Sequence, residues 1–423
     1  VSTPATDTIH AHCRAIAEAA AATKPQLRAL SGADRTAILR DMAAALRAAE
    51  PDILTANQRD LAAGTDLSPA LRDRLTLTPA RLQAMAAAVE QIAAQPEPLG
   101  EIVEGRILPS GIRMEKRRVP IGLIVVIYES RPNVTSDAAA LCFKSGNAVV
   151  LRGGKESIHS NLAIVRALRG PLERRGLADA VGFVDITDRS AIDALVSLEG
   201  LVDLAIPRGG PSLMKAVTAA ARVPIVKHDA GNCHIYIDQH LDGLEEAAER
   251  ITVNAKAQRP GVCNAAETLL VHERVAARMI PRLCAALAKA NVEIRADEAT
   301  RALYPSAKPA TEEDWATEYL DLIIAIRIVP SLEEACTHIR RWGSQHTEAI
   351  MTSSIQSAER FITLVESASV MVNCSTRFAD GGEYGLGAEI GISTAKLHAR
   401  GPMGAKDLTT TQWVLVGSGQ VRG

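Results

Sequence analysis

Residues 121–151 read IGLIVVIYESRPNVTSDAAALCFKSGNAVVL. The apolar run at 122–128 is long enough for one strand. Residues 135–145 carry helical spacing, Gly146 stands where a helix-ending glycine belongs, and a second apolar run follows at 148–151. The two runs lack the in-out alternation of a half-exposed sheet. A strand–helix–strand unit of this kind predicts a parallel sheet covered on both faces.

The same texture continues on the C-terminal side. Strands are expected at 182–186, 201–206, 224–226 and 234–237, and helices at 156–169, 190–198 and 212–221, with Gly170 as a second C-cap. Before it, Ala- and Arg-rich helices place Ile38, Leu39, Met42 and Leu46 on one stripe, and Leu82, Met85, Val89 and Ile92 on another. Residues 107–118 alternate around Gly111 and read as a hairpin. A second α/β run begins with the helix face Leu244, Ala247, Ala248, Ile251 and Ala255. It continues through a strand at 268–272 and a helix at 275–290, and is expected to reach residue 372. A Gly-rich segment at 380–391 follows. Residues 409–416 read as a terminal strand that pairs either with the hairpin or with another subunit.

With 423 residues, 47% of them hydrophobic, the chain has ample core for two or three domains. A net charge of −2 and only 3% aromatic residues give no footing for nucleic acid. No apolar run is long enough to span a bilayer, and the first residues have no basic or apolar leader, so a cytoplasmic protein is expected. Seven scattered cysteines without C-x-x-C argue against a disulfide frame and against a metal site.

One cysteine stands apart. Residues 254–268 read NAKAQRPGVCNAAET, with Cys263 between the turn pair Pro260-Gly261 and an Asn-Ala-Ala stretch, just before an apolar strand. A turn there can expose a thiol among small neighbours and favour its thiolate, the nucleophilic form. Local chemistry leaves open a buried structural cysteine.

Eight ordered segments carry a resemblance. They are 119–122 (VPIG) with 128–133 (YESRPN), 144–156 (KSGNAVVLRGGKE), 207–210 (PRGG), 228–234 (HDAGNCH), the Cys263 loop, 318–320 (EYL), 375–394 (STRFADGGEYGLGAEIGIST) and 398–404 (HARGPMG). Together they resemble the γ-glutamyl phosphate reductases (glutamate-5-semialdehyde dehydrogenases) of the aldehyde dehydrogenase superfamily, over essentially the whole chain. The resemblance implies an aldehyde dehydrogenase-like fold: two doubly wound parallel-sheet α/β domains plus a β-arm for oligomerisation. Residues 1–106 and 121–238 would form the NADP-binding domain with its helices, and 239–372 the catalytic domain. Residues 107–120 and 405–423 would form the arm, and 373–404 a substrate-site segment.

The implied reaction is NADPH-dependent reduction of L-glutamyl 5-phosphate to L-glutamate 5-semialdehyde and phosphate, a step in proline biosynthesis. Cys263 matches the nucleophile and Asn133 the oxyanion donor, whose loss typically costs ~10²–10³ in rate. Without the resemblance, Asn133 reads first as a turn residue after Pro132. Arg152 and Lys155 follow a strand, where a cation would meet the 2′-phosphate of NADP. Pro207, Gly209 and Gly210 resemble a pyrophosphate turn, and Glu318 the residue that holds the nicotinamide ribose. Candidates for the substrate are Arg131, Arg259, Asn373, Ser375, Thr376 and Arg377, with Glu383 or Asp380 for the ammonium; planar bidentate recognition favours Arg for a carboxylate. Each Arg reads equally as a surface charge.

Hydrolytic superfamily members activate water with a Glu ahead of the nucleophile. Here that region holds His228 and Asp229 and no Glu, which leaves either of those two as an alternative base. The competing reading is an NAD(P)-dependent hydrolytic dehydrogenase of a small amino-acid semialdehyde. Implied partners are a homodimeric or homotetrameric assembly, with channelling from glutamate 5-kinase left open.

Overall fold

The computed structural model describes residues 4–65, 67–227 and 230–422. Its strands, in chain order, are β1 Ile102–Ile107, β2 Arg113–Pro120, β3 Leu123–Tyr128, β4 Ala148–Arg152, β5 Val181–Phe183, β6 Leu204–Arg208, β7 Cys233–Ile237 and β8 Ala266–His272. They continue as β9 Glu293–Ala296, β10 Lys308–Pro309, β11 Ile323–Val329, β12 Thr347–Met351, β13 Ser369–Val372, β14 Gly391–Ser393, β15 Gly401–Met403 and β16 Thr409–Val416. The chain divides into two compact units. One comprises Val1–Lys227, Gly385–Gly391 and Met403–Gly423; the other comprises His228–Tyr384 and Ile392–Pro402.

In the first unit a parallel sheet runs β5-β4-β3-β6. Every residue of β3 and β4 is buried, as their unbroken apolar runs require. Helices Pro132–Lys144 and Ile158–Glu173 pack together on the sheet, and Pro4–Ala22 packs with Ser190–Val196. Helices Gly32–Ala48 and Pro79–Ala94 meet along their predicted stripes, and all eight stripe residues are buried. The first of these starts on a capping box between Ser31 and Asp34. Gly146 ends helix Pro132–Lys144 at φ +73°, and a Cβ there would lie 2.7 Å from Leu99 Cδ1. Left-handed backbone and close packing both demand glycine.

The two segments expected to form an arm pair as a three-stranded antiparallel sheet, β1-β2-β16. The terminal strand pairs with the hairpin along its whole length, from Thr409 opposite Pro120 to Val416 opposite Arg113. The hairpin itself begins earlier than expected, at Ile102.

Four expectations need correction. Gly170 lies inside its helix, which runs on to Glu173, and Gly176 takes the left-handed conformation instead. Residues 224–226 contribute only an isolated bridge, Ala205 to Ile225. The strand expected at 182–186 stops at Phe183. β7, expected at the end of the first domain, sits inside the second unit's sheet, so the division falls after Lys227 and not after residue 238. An apolar run does not encode which sheet it joins.

The second unit is built on a seven-stranded parallel sheet, β10-β9-β11-β8-β7-β12-β13. Strand alternation divides its core in two. Ile235, Ile237, Leu269 and Val271 face one cluster, together with Met279, Ile280, Leu283 and Leu287 of helix Glu273–Lys289. Tyr236, Leu270 and Ile350 face the other, under Ile339 and Phe361. A register shift between Cys233 and His234 bends β7 beside the end of β8 that receives the Cys263 loop. Among the described residues no helix is long and apolar enough to cross a membrane.

His338 is buried in this unit, edge-on to Trp315 and His234, and accepts a hydrogen bond from Arg327 Nη1 at 3.1 Å. Burial, helped by His234 and Arg327, pushes its pKa down to about 2. The folded state therefore binds fewer protons here than the unfolded chain, and the contribution present at neutral pH is lost as pH falls below about 6.5. Between pH 7.5 and 5.5 the wild type should lose roughly 1–2 kcal/mol more stability than His338→Gln in urea unfolding. Equal losses would contradict this account.

Candidate active site

The Cys263 loop hangs between helix Glu245–Ala257 and β8. Cys263 is half-exposed on its turn. Burial pushes the thiols of the other six cysteines up: Cys13 to about 11, Cys284 and Cys336 to about 12, with Cys142, Cys233 and Cys374 also raised. Apart from Cys263, only Cys374 escapes full burial.

The loop is gripped from behind. A Cβ on Gly231 would fall 2.0 Å from the Cys263 carbonyl oxygen and 2.5 Å from its Cα, so only glycine allows this backbone approach. Gly231 N–H donates to Glu318 Oε1 at 2.9 Å. The Cys233 thiol lies 3.2 Å from the Cys263 carbonyl and donates to it. Burial raises the Glu318 carboxyl, against the Gly231 N–H bond and the charges of His346 and Lys256.

Downstream, buried Asn264 joins the loop to the segment after β13. Its Nδ2 donates to Ala379 O at 3.0 Å, and its own carbonyl accepts from Thr376 Oγ1 at 2.7 Å. Thr376 is fully buried and its hydroxyl proton is committed to that carbonyl. Asn373 is committed as well: its amide bonds both the N–H and the carbonyl of Thr352, bridging the ends of β12 and β13. The buried Ser375 hydroxyl accepts from Arg377 N–H. All three had the polar side chains of pocket residues; sequence does not show that the backbone had already taken them.

Arg377 remains. It is half-buried, and its Nε donates to Gln258 Oε1 at 2.9 Å. Burial lowers its pKa, opposed by Asp380, Cys263 and Glu383, while Arg259 lowers it further. These groups therefore share one electrostatic neighbourhood. Arg259 and Glu383 are exposed.

In the first unit, Lys155 is exposed at the end of β4. Arg152 is not available there. It is buried, with Nη2 donating to Thr187 O at 2.9 Å and to Asp188 O at 3.3 Å. The strand end that exposes one cation turns its neighbour inward. Pro207 is buried in β6, and Gly209 and Gly210 lead into helix Pro211–Ala220. A Cβ on Gly209 would meet Leu213 and Glu129 at 2.6 and 2.7 Å, and the Gly210 N–H donates to Glu129 Oε2 at 2.9 Å. Asn133 and Arg131 are exposed at the start of helix Pro132–Lys144. His228 and Asp229 lie outside the described residues.

Residues 3–314 match the aldehyde dehydrogenase family. The chain belongs to that family. γ-Glutamyl phosphate reductase of Moorella thermoacetica is 50% identical over 399 residues, covering 94% of this chain and 95% of that protein. The reductase of Xanthomonas campestris pv. campestris is 51% identical over 399 residues, with 94% and 96% covered. The crystal structure of the Thermotoga maritima γ-glutamyl phosphate reductase superposes with a TM-score of 0.94 at 41% identity, covering 97% of this chain and all of that one. Within the aldehyde dehydrogenase family the chain thus groups with the γ-glutamyl phosphate reductases, and it is an oxidoreductase. Members of this family use nicotinamide cofactors.

One feature of this aldehyde dehydrogenase site was missed in the sequence. Lys256 and Glu267 flank the loop, both fully buried, with Nζ and Oε2 2.5 Å apart. Burial raises Glu267 to about 7 despite Lys256, and lowers Lys256. The available signal was a Glu inside the apolar strand AETLLVH with a Lys on a buried helix face, since both types are rarely buried unless paired. Removing one partner strands a buried charge. Lys256→Met should lower stability in urea by about 3–5 kcal/mol, and Lys256→Met with Glu267→Leu should recover most of it. A single variant as stable as wild type would refute the clamp.

Proposed function

We propose that this chain reduces L-glutamyl 5-phosphate to L-glutamate 5-semialdehyde with NADPH, releasing phosphate, through a thioester on Cys263. The observation that carries the reading is the half-exposed Cys263 on a turn braced by Gly231, Cys233 and Asn264, in a chain about half identical to γ-glutamyl phosphate reductases.

The Cys263 thiolate attacks the acyl carbon; a C–S bond forms, and phosphate leaves with the C–O electron pair. Asn133 donates an amide N–H to the carbonyl oxygen as negative charge develops there. The nicotinamide, when bound, supplies hydride to the thioester carbon. C–S cleavage then returns the thiolate and frees the aldehyde.

The first unit's residues fit such a cofactor. Gly210 offers an N–H that already donates to a carboxylate, Gly209 leaves no room for a side chain, and Lys155 is an exposed cation for a 2′-phosphate. Glu318 would hold the ribose. Arg377 and Arg259, set against Asp380 and Glu383, provide opposite charges for a zwitterionic amino acid. Arg131 remains a candidate for the phosphate group. The apolar surface of the arm, with Ile102, Val103, Trp413 and Leu415 exposed, supports assembly into a homodimer or homotetramer.

The test is semialdehyde oxidation with each nicotinamide, with and without phosphate. Turnover should require phosphate and favour NADP, and Cys263→Ala should slow it by at least about a thousandfold. Phosphate-independent formation of free glutamate would replace this reading with a hydrolytic dehydrogenase.

A further inference from the structure

Asn133 can stabilise an oxyanion only if its amide presents nitrogen. The two ends of an asparagine amide are nearly the same in shape, and rotation by a half-turn would aim oxygen at the developing negative charge. Something must choose the nitrogen end.

The helix that begins at Pro132 carries the answer one turn on. Asn133 Nδ2 donates to Asp137 Oδ2 at 3.1 Å, an i, i+4 pair on one face of the helix. An ionised carboxylate only accepts hydrogen bonds, so it holds the NH₂ end and rejects the carbonyl end. One N–H is taken by Asp137 and the second is left to donate. The Asn133 backbone carbonyl accepts from Ser136 Oγ at 2.9 Å, which ties down the same turn. We infer that Asp137 is the positioning residue that fixes the orientation of the Asn133 amide for catalysis. The inference rests on the oxyanion role proposed above for Asn133.

The surroundings make this selection sensitive to pH. Burial pushes the Asp137 carboxyl up to about 6. Asn133 and Ser136 on its own helix and Arg208 at the end of β6 oppose the shift, while Glu389 adds to it. Once protonated, the carboxyl can donate to the amide oxygen as readily as accept from its nitrogen, and the preference is lost.

The isosteric Asp137→Asn gives the test, because it keeps the volume but can bond either end of the amide. Expected at pH 8 is a kcat at least about tenfold below wild type, part of the ~10²–10³ that an oxyanion donor provides, with KM for semialdehyde and phosphate unchanged. The ratio of wild-type to variant kcat should shrink toward one by pH 5, which a packing defect would not produce. Asn133→Ala with Asp137→Asn should be no slower than Asn133→Ala alone. A slow Asn133→Ala beside an Asp137→Asn of wild-type kcat, or a kcat ratio independent of pH, would overturn the inference while leaving the oxyanion reading intact. An Asn133→Ala enzyme of wild-type kcat would remove both.

Discussion

The buried pair Lys256–Glu267 is the constraint on which the Cys263 loop depends. A turn of small residues carrying a half-exposed thiol has little apolar surface of its own, so it must be fixed at its ends. Here the last turn of helix Glu245–Ala257 and the start of β8 are joined by opposite charges with no solvent access. In so dry a setting neither charge can be moved away from the other without large cost. Between these two anchors, Gly231 presses on the Cys263 backbone, and Asn264 fastens the far side to the segment after β13. The thiol is held by its neighbours' backbone and left half-exposed by its own position.

The same logic separates residues that hold from residues that act. Thr376, Asn373 and Asn264 look like binding groups, yet their polar atoms close the backbone of adjoining strands and turns. Arg377 and Arg259 share an electrostatic neighbourhood with Cys263, and the Lys155 side chain lies in solvent. Arg152, three residues before Lys155, is drawn inward to two carbonyls. Within one motif, then, the division of labour follows from which carbonyls need a donor.

Much of this was legible in the sequence. The unbroken apolar runs at β3 and β4, the stripes through Met42 and Met85, and the left-handed Gly146 are local features, and they appear where local rules put them. The Cys263 turn was legible because Pro, Gly and small residues leave few alternatives. Three kinds of fact were not. Whether β7 joins the first or the second sheet is decided by pairing with β8 and β12 across long separations. Whether Gly170 ends its helix depends on downstream residues that continue it. Whether Thr376 faces a substrate or a carbonyl depends on Asn264, far away in the chain.

The central claim is that one sulfur, that of Cys263, takes up the side-chain acyl group. Incubation with glutamate semialdehyde and NADP in the absence of phosphate, followed by acid quench and peptide mass spectrometry, tests it most directly. The account predicts one glutamyl group on the peptide containing Cys263, removed when phosphate is added before the quench. Full turnover with no acylated peptide at Cys263, or the acyl group on another cysteine, would contradict it.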